Sequence, residues 1–138
     1  MKKLLVLSVL LSSLLFSCKK DEAPTQEQIV KNQLLGKWNQ TQTSVEVPLG
    51  SPEVITLTSG VTYEFLENGN LILTSSGIAT TFTWSGLDAS TIKYVSMDLQ
   101  SEFIYTIVQV DATTLKLSFT YFQNGVEGKK YKYFTKIP

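Results

Sequence analysis

The chain has no histidine and no arginine, and Cys18 is its only cysteine. Histidine is the commonest general base and the commonest ligand of transition metals, so its absence removes most hydrolase and metal-site designs. A single cysteine excludes a disulfide within the chain and a multi-cysteine zinc site. Twelve lysines are balanced by twelve acids, so the chain lacks the basic face of a nucleic-acid-binding protein. We predict a protein that is not an enzyme, uses no cofactor or metal and binds no nucleic acid.

The acidic residues do not change that prediction. Asp98 and Glu102 flank one predicted turn, and a pair of carboxylates in such a place can serve a glycosidase or bind calcium. Turn formation explains Asp88 and Asp111 more simply, because aspartate side chains accept hydrogen bonds from nearby backbone N–H groups. We therefore predict no catalytic residue.

The N-terminal residues have the three parts of a secretory signal peptide. Two lysines open the chain, an apolar run follows over residues 4–16, and a small serine precedes Cys18. The apolar run is shorter than the roughly 20 residues that a membrane-spanning helix needs. The predicted organisation is a signal peptide over residues 1–17, a tether over 18–24 and one β-barrel domain over 25–138.

The end of this leader, Leu15-Phe16-Ser17-Cys18, resembles the lipobox of bacterial lipoproteins. The resemblance implies that the leader is removed and that Cys18 receives lipid, which would hold the chain on a membrane. Lys20-Asp21-Glu22 is similar to the export signal of Bacteroidetes lipoproteins and implies an outer-membrane protein that faces the cell surface. Two alternatives remain: the protein faces the periplasm, or these charged residues are a solvated tether that carries no export signal.

From Thr25 onward the sequence predicts a short helix and then strands to the end. Thr25 and Gln28 have the spacing of a capping box, and Gly36 follows where helix ends favour glycine. Beyond it, β-branched and aromatic residues alternate with polar ones, which indicates strands with one buried face. Asn68-Gly69 and Asn124-Gly125 are two-residue hairpin signals. The predicted strands are 37–47, 61–67, 70–76, 78–85, 91–98, 102–110, 113–122 and 129–136.

Eight short antiparallel strands in succession predict an all-β, up-and-down barrel, because closing the sheet removes its exposed edges. A two-sheet β-sandwich is the alternative. Residues 103–110 are apolar on both faces, so we expect the N-terminal helix to cover their outer face. Residues 48–60 are predicted to be a long connection between the first two strands, either an ordinary surface loop or, as the resemblance described next implies, a lid over the open end of the barrel.

Residues 34–38, with Gly36 and Trp38, resemble the Gly-X-Trp start of the first strand of lipocalins. Residues 63–70 are similar to a strand and hairpin of small lipocalin-like lipoproteins from Bacteroidetes. The resemblance implies that Gly36 and Trp38 lie at the closed end of an eight-stranded lipocalin-like barrel. Lipocalins often place an arginine of the last strand over this tryptophan, and Lys136 is the nearest substitute here.

The aromatic residues of the predicted strands share faces that could line the barrel. If those faces point inward, they form an apolar cavity with a few hydroxyl groups, the usual composition of a small-molecule site. Side chains that simply fill the barrel are the alternative. We predict a lipoprotein that binds a small apolar ligand, or else a non-catalytic surface module that contacts a protein or glycan. The candidate ligand-lining residues are Tyr63, Phe65, Phe82, Trp84, Tyr94, Phe103, Tyr105, Leu117, Phe119, Tyr121, Tyr131 and Tyr133.

Overall fold

The computed structural model describes residues 23–98 and 100–138, which form one helix and nine antiparallel strands. The predicted signal peptide, Cys18 and most of the tether lie outside these residues. The elements are α1 (Gln26–Leu34), β1 (Gly36–Glu46), β2 (Val54–Leu57), β3 (Val61–Phe65), β4 (Asn70–Ser75), β5 (Ile78–Gly86), β6 (Thr91–Ser96), β7 (Glu102–Val110), β8 (Thr114–Gln123) and β9 (Val126–Lys136).

Eight of the strands close into a barrel in the order β1-β3-β4-β5-β6-β7-β8-β9, and β9 returns to pair with β1. The predicted lipocalin-like barrel is confirmed, and the sandwich is excluded because the strands form one continuous sheet. Neighbours in the chain are neighbours in the barrel because tight turns join them. At two of these turns Gly69 and Gly125 have φ of 83° and 79°, a conformation that glycine adopts without steric cost.

Strand β2 lies within residues 48–60, so the prediction of an unbroken connection is wrong there. It pairs with the second half of β1, on the edge that β3 uses along the first half. All four of its side chains are exposed. Because alternation identifies a strand through its buried face, a strand without a buried face gives no such signal.

The helix α1 closes one end of the barrel. Its predicted capping box is present, since Thr25 and Gln28 each bond to the other's backbone N–H. Val30 and Leu34 are buried against inward-facing side chains of the barrel, among them Trp84. No helix within residues 23–98 and 100–138 has the length and apolar content to cross a bilayer.

The expectation that α1 covers the outer face of residues 103–110 is wrong. Ile104 and Val108 remain 52% and 49% exposed. The apolar residues Val30 and Leu34 of α1 instead cover inward-facing side chains at the end of the barrel, which would otherwise be open to water.

Trp38 and Lys136 hold the end of α1 at this closed end. Trp38 is fully buried, and its indole N–H donates to the Leu34 carbonyl at 2.7 Å. The Lys136 ammonium lies 4.9 Å from the centre of the Trp38 ring and donates to the Gln33 carbonyl at 3.3 Å. Two carbonyls that the C-terminus of a helix leaves free are thereby satisfied. Lys136 thus lies over Trp38, in the position for which the resemblance to lipocalins made it the nearest substitute.

Gly128 is the tightest position of β9. A Cβ there would overlap the Val47 side chain and lie 2.6 Å from the Glu46 carbonyl oxygen. Since a backbone atom cannot rotate away, any side chain at this position must push β1 and β9 apart.

We expect Gly128→Ala to lower the free energy of unfolding by about 1–3 kcal/mol, the usual effect of forcing a methyl group into filled space. Urea denaturation followed by tryptophan fluorescence measures it. Gly86→Ala is the matched control, because the nearest atom to a Cβ at Gly86 is 3.8 Å away. Equal urea midpoints for the two variants would contradict the prediction.

Candidate functional site

Strands β7 and β8 separate toward the end of the barrel away from α1. They pair with each other only over Thr106–Val110 and Leu115–Ser118. Earlier residues of β7 pair with β6, and later residues of β8 pair with β9. The opening between them, which we call the β7–β8 slot, has a volume of about 520 Å³, within the range of about 300–1,000 Å³ typical of ligand pockets. Its lining is Glu102, Phe103, Ile104, Tyr105, Thr106, Ser118, Phe119 and Thr120.

Aromatic rings form a continuous row behind the slot. Tyr94 stacks on Phe103 and on Tyr105, with ring centres 5.2 Å apart in both pairs. Tyr105 meets Phe119 edge-on at 5.1 Å. Phe103 is 39% exposed, so part of this ring surface faces solvent. The row, called the aromatic row below, comprises Phe82, Tyr94, Phe103, Tyr105, Phe119 and Tyr121.

Ten of the twelve candidate ligand-lining residues face the barrel interior. Phe103, Tyr105 and Phe119 line the slot itself. Phe82 and Tyr121 are partly exposed members of the aromatic row. The others are buried in the core: Tyr63, Phe65, Trp84, Tyr94 and Leu117.

Tyr131 and Tyr133 are on the outer face of β9, so their prediction as lining residues is wrong. Lys132 pairs with inward-facing Leu117, and the next residue on that face, Phe134, is 2% exposed. Alternation shows which residues share a face, but it does not show which face is inside. The signal that could have decided this was Phe134, a large apolar residue that lies on the same face of β9 as Lys130 and Lys132.

On the outer face the two tyrosines surround a lysine. The Lys116 ammonium lies 4.4 and 4.6 Å from the ring centres of Tyr131 and Tyr133. The Tyr133 hydroxyl donates to Glu53 at 2.8 Å, and the Tyr131 hydroxyl donates to Glu46 at 3.0 Å. The segment that the sequence suggested as a lid is therefore fastened to the outer wall at Glu53.

The pKa values of this outer cluster follow from its hydrogen bonds. Bonds from Ser44 and Tyr133, with the charge of Lys116, hold the pKa of the Glu53 carboxyl below its usual value. Burial and the bond to Glu46 raise the pKa of Tyr131 to about 12. Glu53 is thus a carboxylate and Tyr131 a neutral phenol at neutral pH.

Lys132 places an ammonium group inside the barrel, next to the slot. Its Nζ donates to the hydroxyls of Tyr63 at 2.7 Å and Tyr105 at 3.0 Å. Burial lowers the pKa of Lys132, but the two tyrosines together raise it above its ordinary value. Burial also raises the pKa of the neighbouring Tyr94. Tyr105 connects the two parts of the site, since it lines the slot and binds the ammonium.

Several carboxylates of the described residues serve turns and ion pairs. Asp88 accepts from the backbone N–H of Ser90 at 2.7 Å, and Asp111 accepts from that of Thr113 at 2.9 Å. Such bonds lower the pKa of Asp88 and bring that of Asp111 to about 2. Glu102 pairs with Lys93 at 3.0 Å. Within residues 23–98 and 100–138, no three metal-ligating side chains gather into a site.

Comparison with known proteins does not identify a family or a function for this chain. No protein-family model matches the chain, and no curated protein matches its sequence significantly. The functional assignment therefore depends on the barrel, the slot and the residues behind it.

Proposed function

We propose that the protein binds a small apolar molecule, which enters through the β7–β8 slot and lies against the aromatic row. The observation that carries this proposal is the slot of about 520 Å³ with aromatic rings behind it. An eight-stranded barrel encloses just enough space for its own side chains or one small ligand. Here the core fills the end under α1, and the separation of β7 and β8 leaves room at the other end.

The proposal includes a lipid anchor at Cys18, supported by the signal-peptide pattern of residues 1–17 and the lipobox resemblance. Attached in this way, the barrel would face the outside of the outer membrane on a tether of residues 18–24. A binding protein in that place could collect apolar molecules near the membrane surface.

Phe103→Ala is expected to weaken binding of the neutral fluorophore N-phenyl-1-naphthylamine by about tenfold. The reason is that burying a phenylalanine side chain contributes about 1.5–3 kcal/mol, and 1.4 kcal/mol is a factor of ten. Fluorescence titration of the purified protein measures the dissociation constant.

The matched control is Phe122→Ala, because Phe122 is 70% exposed and does not line the slot. We expect this variant to bind the probe as the wild type does. A wild-type protein that binds no apolar probe, or two variants with the same affinity, would refute the proposed site.

A second candidate function has support from strand β2. Val54, Ile55 and Leu57 are 68%, 58% and 83% exposed, and the edge of β2 away from β1 pairs with no strand of the described residues. Exposed apolar edges of this kind accept an added strand from another protein. Failure of the slot to bind any apolar probe would favour this surface module over the ligand-binding protein.

A further inference from the structure

We infer that the ligand is an apolar anion, whose negatively charged head group is bound by Lys132 and a tyrosine hydroxyl beside it. This inference rests on the proposed function, because it assigns a ligand class to the same site. It depends on the charge balance inside the barrel, the free donors of the cluster and the path from the slot.

Lys132 has no carboxylate partner in the part of the chain that the structure describes. The ion pairs found among residues 23–98 and 100–138 join Lys93 to Glu102 and Lys116 to Glu53, all on the outer wall. No described carboxylate lies within 4.0 Å of the Lys132 ammonium. Charged groups inside proteins are normally paired, since leaving them without a counter-charge is costly. A bound anion would supply the missing charge.

The cluster also has hydrogen-bond donors to spare. An ammonium group has three N–H donors, and Lys132 uses two of them on Tyr63 and Tyr105. Tyr94 also hydrogen-bonds with both of these hydroxyls, and since its single O–H can donate to only one of them, no more than one of the pair has an O–H left to donate elsewhere. A carboxylate accepts several such bonds, and those from an ammonium are the strong, charge-assisted kind.

The charged group and the apolar surface are one side chain apart. Tyr105 exposes its ring to the slot and its hydroxyl to Lys132. Lys130, the neighbouring inward position of β9, pairs with Phe119 of the slot and adds a second positive charge to this face. A ligand with an apolar body on the aromatic row would therefore have its head group near the Lys132 ammonium, on a strand face that also carries Lys130, which favours an anion and disfavours a cation.

The test compares three probes that share a ten-carbon chain: decanoate, decanol and decyltrimethylammonium. Isothermal titration calorimetry with the mature protein should give a dissociation constant for decanoate at least about tenfold lower than for decanol, and the weakest binding for the cation. Lys132→Met should remove the preference for decanoate over decanol. Lys132→Arg, which keeps the charge, should retain it.

The control is Lys93→Met, which removes a lysine from the outer wall and should leave the preference unchanged. If none of the three probes binds the wild type, the proposed function itself fails. If decanol binds as tightly as decanoate, the site stands and the inference about the anion fails. Because this comparison uses the wild type alone, it decides the question even if Lys132→Met does not fold.

Discussion

Trp38→Ala is expected to lower the free energy of unfolding by about 3–5 kcal/mol, the usual loss for a buried tryptophan. Trp38 is fully buried. Its indole N–H donates to the Leu34 carbonyl, and its ring lies beneath the Lys136 ammonium. Its removal opens a cavity and releases the end of α1 together. Domains of this size have a total stability of about 5–15 kcal/mol, so the variant should be close to unfolding.

Urea denaturation followed by far-UV circular dichroism measures this loss. Trp38→Phe keeps most of the ring but leaves the Leu34 carbonyl without its indole donor, so we expect about 1–3 kcal/mol. Phe122→Ala removes an aromatic side chain that is 70% exposed and should change the midpoint little. A Trp38→Ala midpoint equal to that of Phe122→Ala would show that Trp38 does not hold the closed end.

Cys18→Ala is expected to move the protein from the membrane fraction to the soluble fraction. In the proposed lipoprotein the thiol of Cys18 is the group that receives lipid, and each acyl chain contributes about 0.8 kcal/mol per buried methylene. With no thiol at position 18, no chain can be attached there. Cell fractionation with immunoblotting, together with incorporation of labelled palmitate, measures the change.

Ser17→Ala is the control for this experiment, because it keeps a small residue before Cys18 and should leave the protein in the membrane fraction. Circular dichroism of the released Cys18→Ala protein should show the same β-sheet content, since the strands begin at Gly36. If Cys18→Ala stays in the membrane fraction, the anchor is elsewhere and the lipoprotein proposal is wrong.

Local rules predicted most of the barrel. Asn68-Gly69 and Asn124-Gly125 mark hairpins because both residue types tolerate positive φ, and the strands on either side carry a clear period of two. Seven of the eight predicted strands both begin and end within two residues of the observed bounds, whereas β9 begins at Val126 instead of residue 129. The capping box at Thr25 was also predictable, because its two hydrogen bonds join residues three apart.

The candidate site was harder to predict because it depends on register between strands. A bulge in β7 between Ile107 and Gln109 and the early end of β7–β8 pairing produce the slot, and neither has a sequence signal of its own. The prediction that Tyr131 and Tyr133 line the barrel puts Lys132 on the outer face, where lysine usually lies in water. The inward position of Lys132 is set by Phe134, because the burial of Phe134 turns every second residue of β9 toward the interior.

The unequal pairing of β8 with its two neighbours has a mechanical consequence. Four paired positions join β8 to β7, whereas ten join it to β9. Fewer backbone hydrogen bonds must therefore break to widen the β7–β8 seam than to separate β8 from β9. We therefore expect the β7–β8 seam to open more often than the β8–β9 seam, so backbone amides of Thr106–Val110 should exchange with deuterium before those of β9.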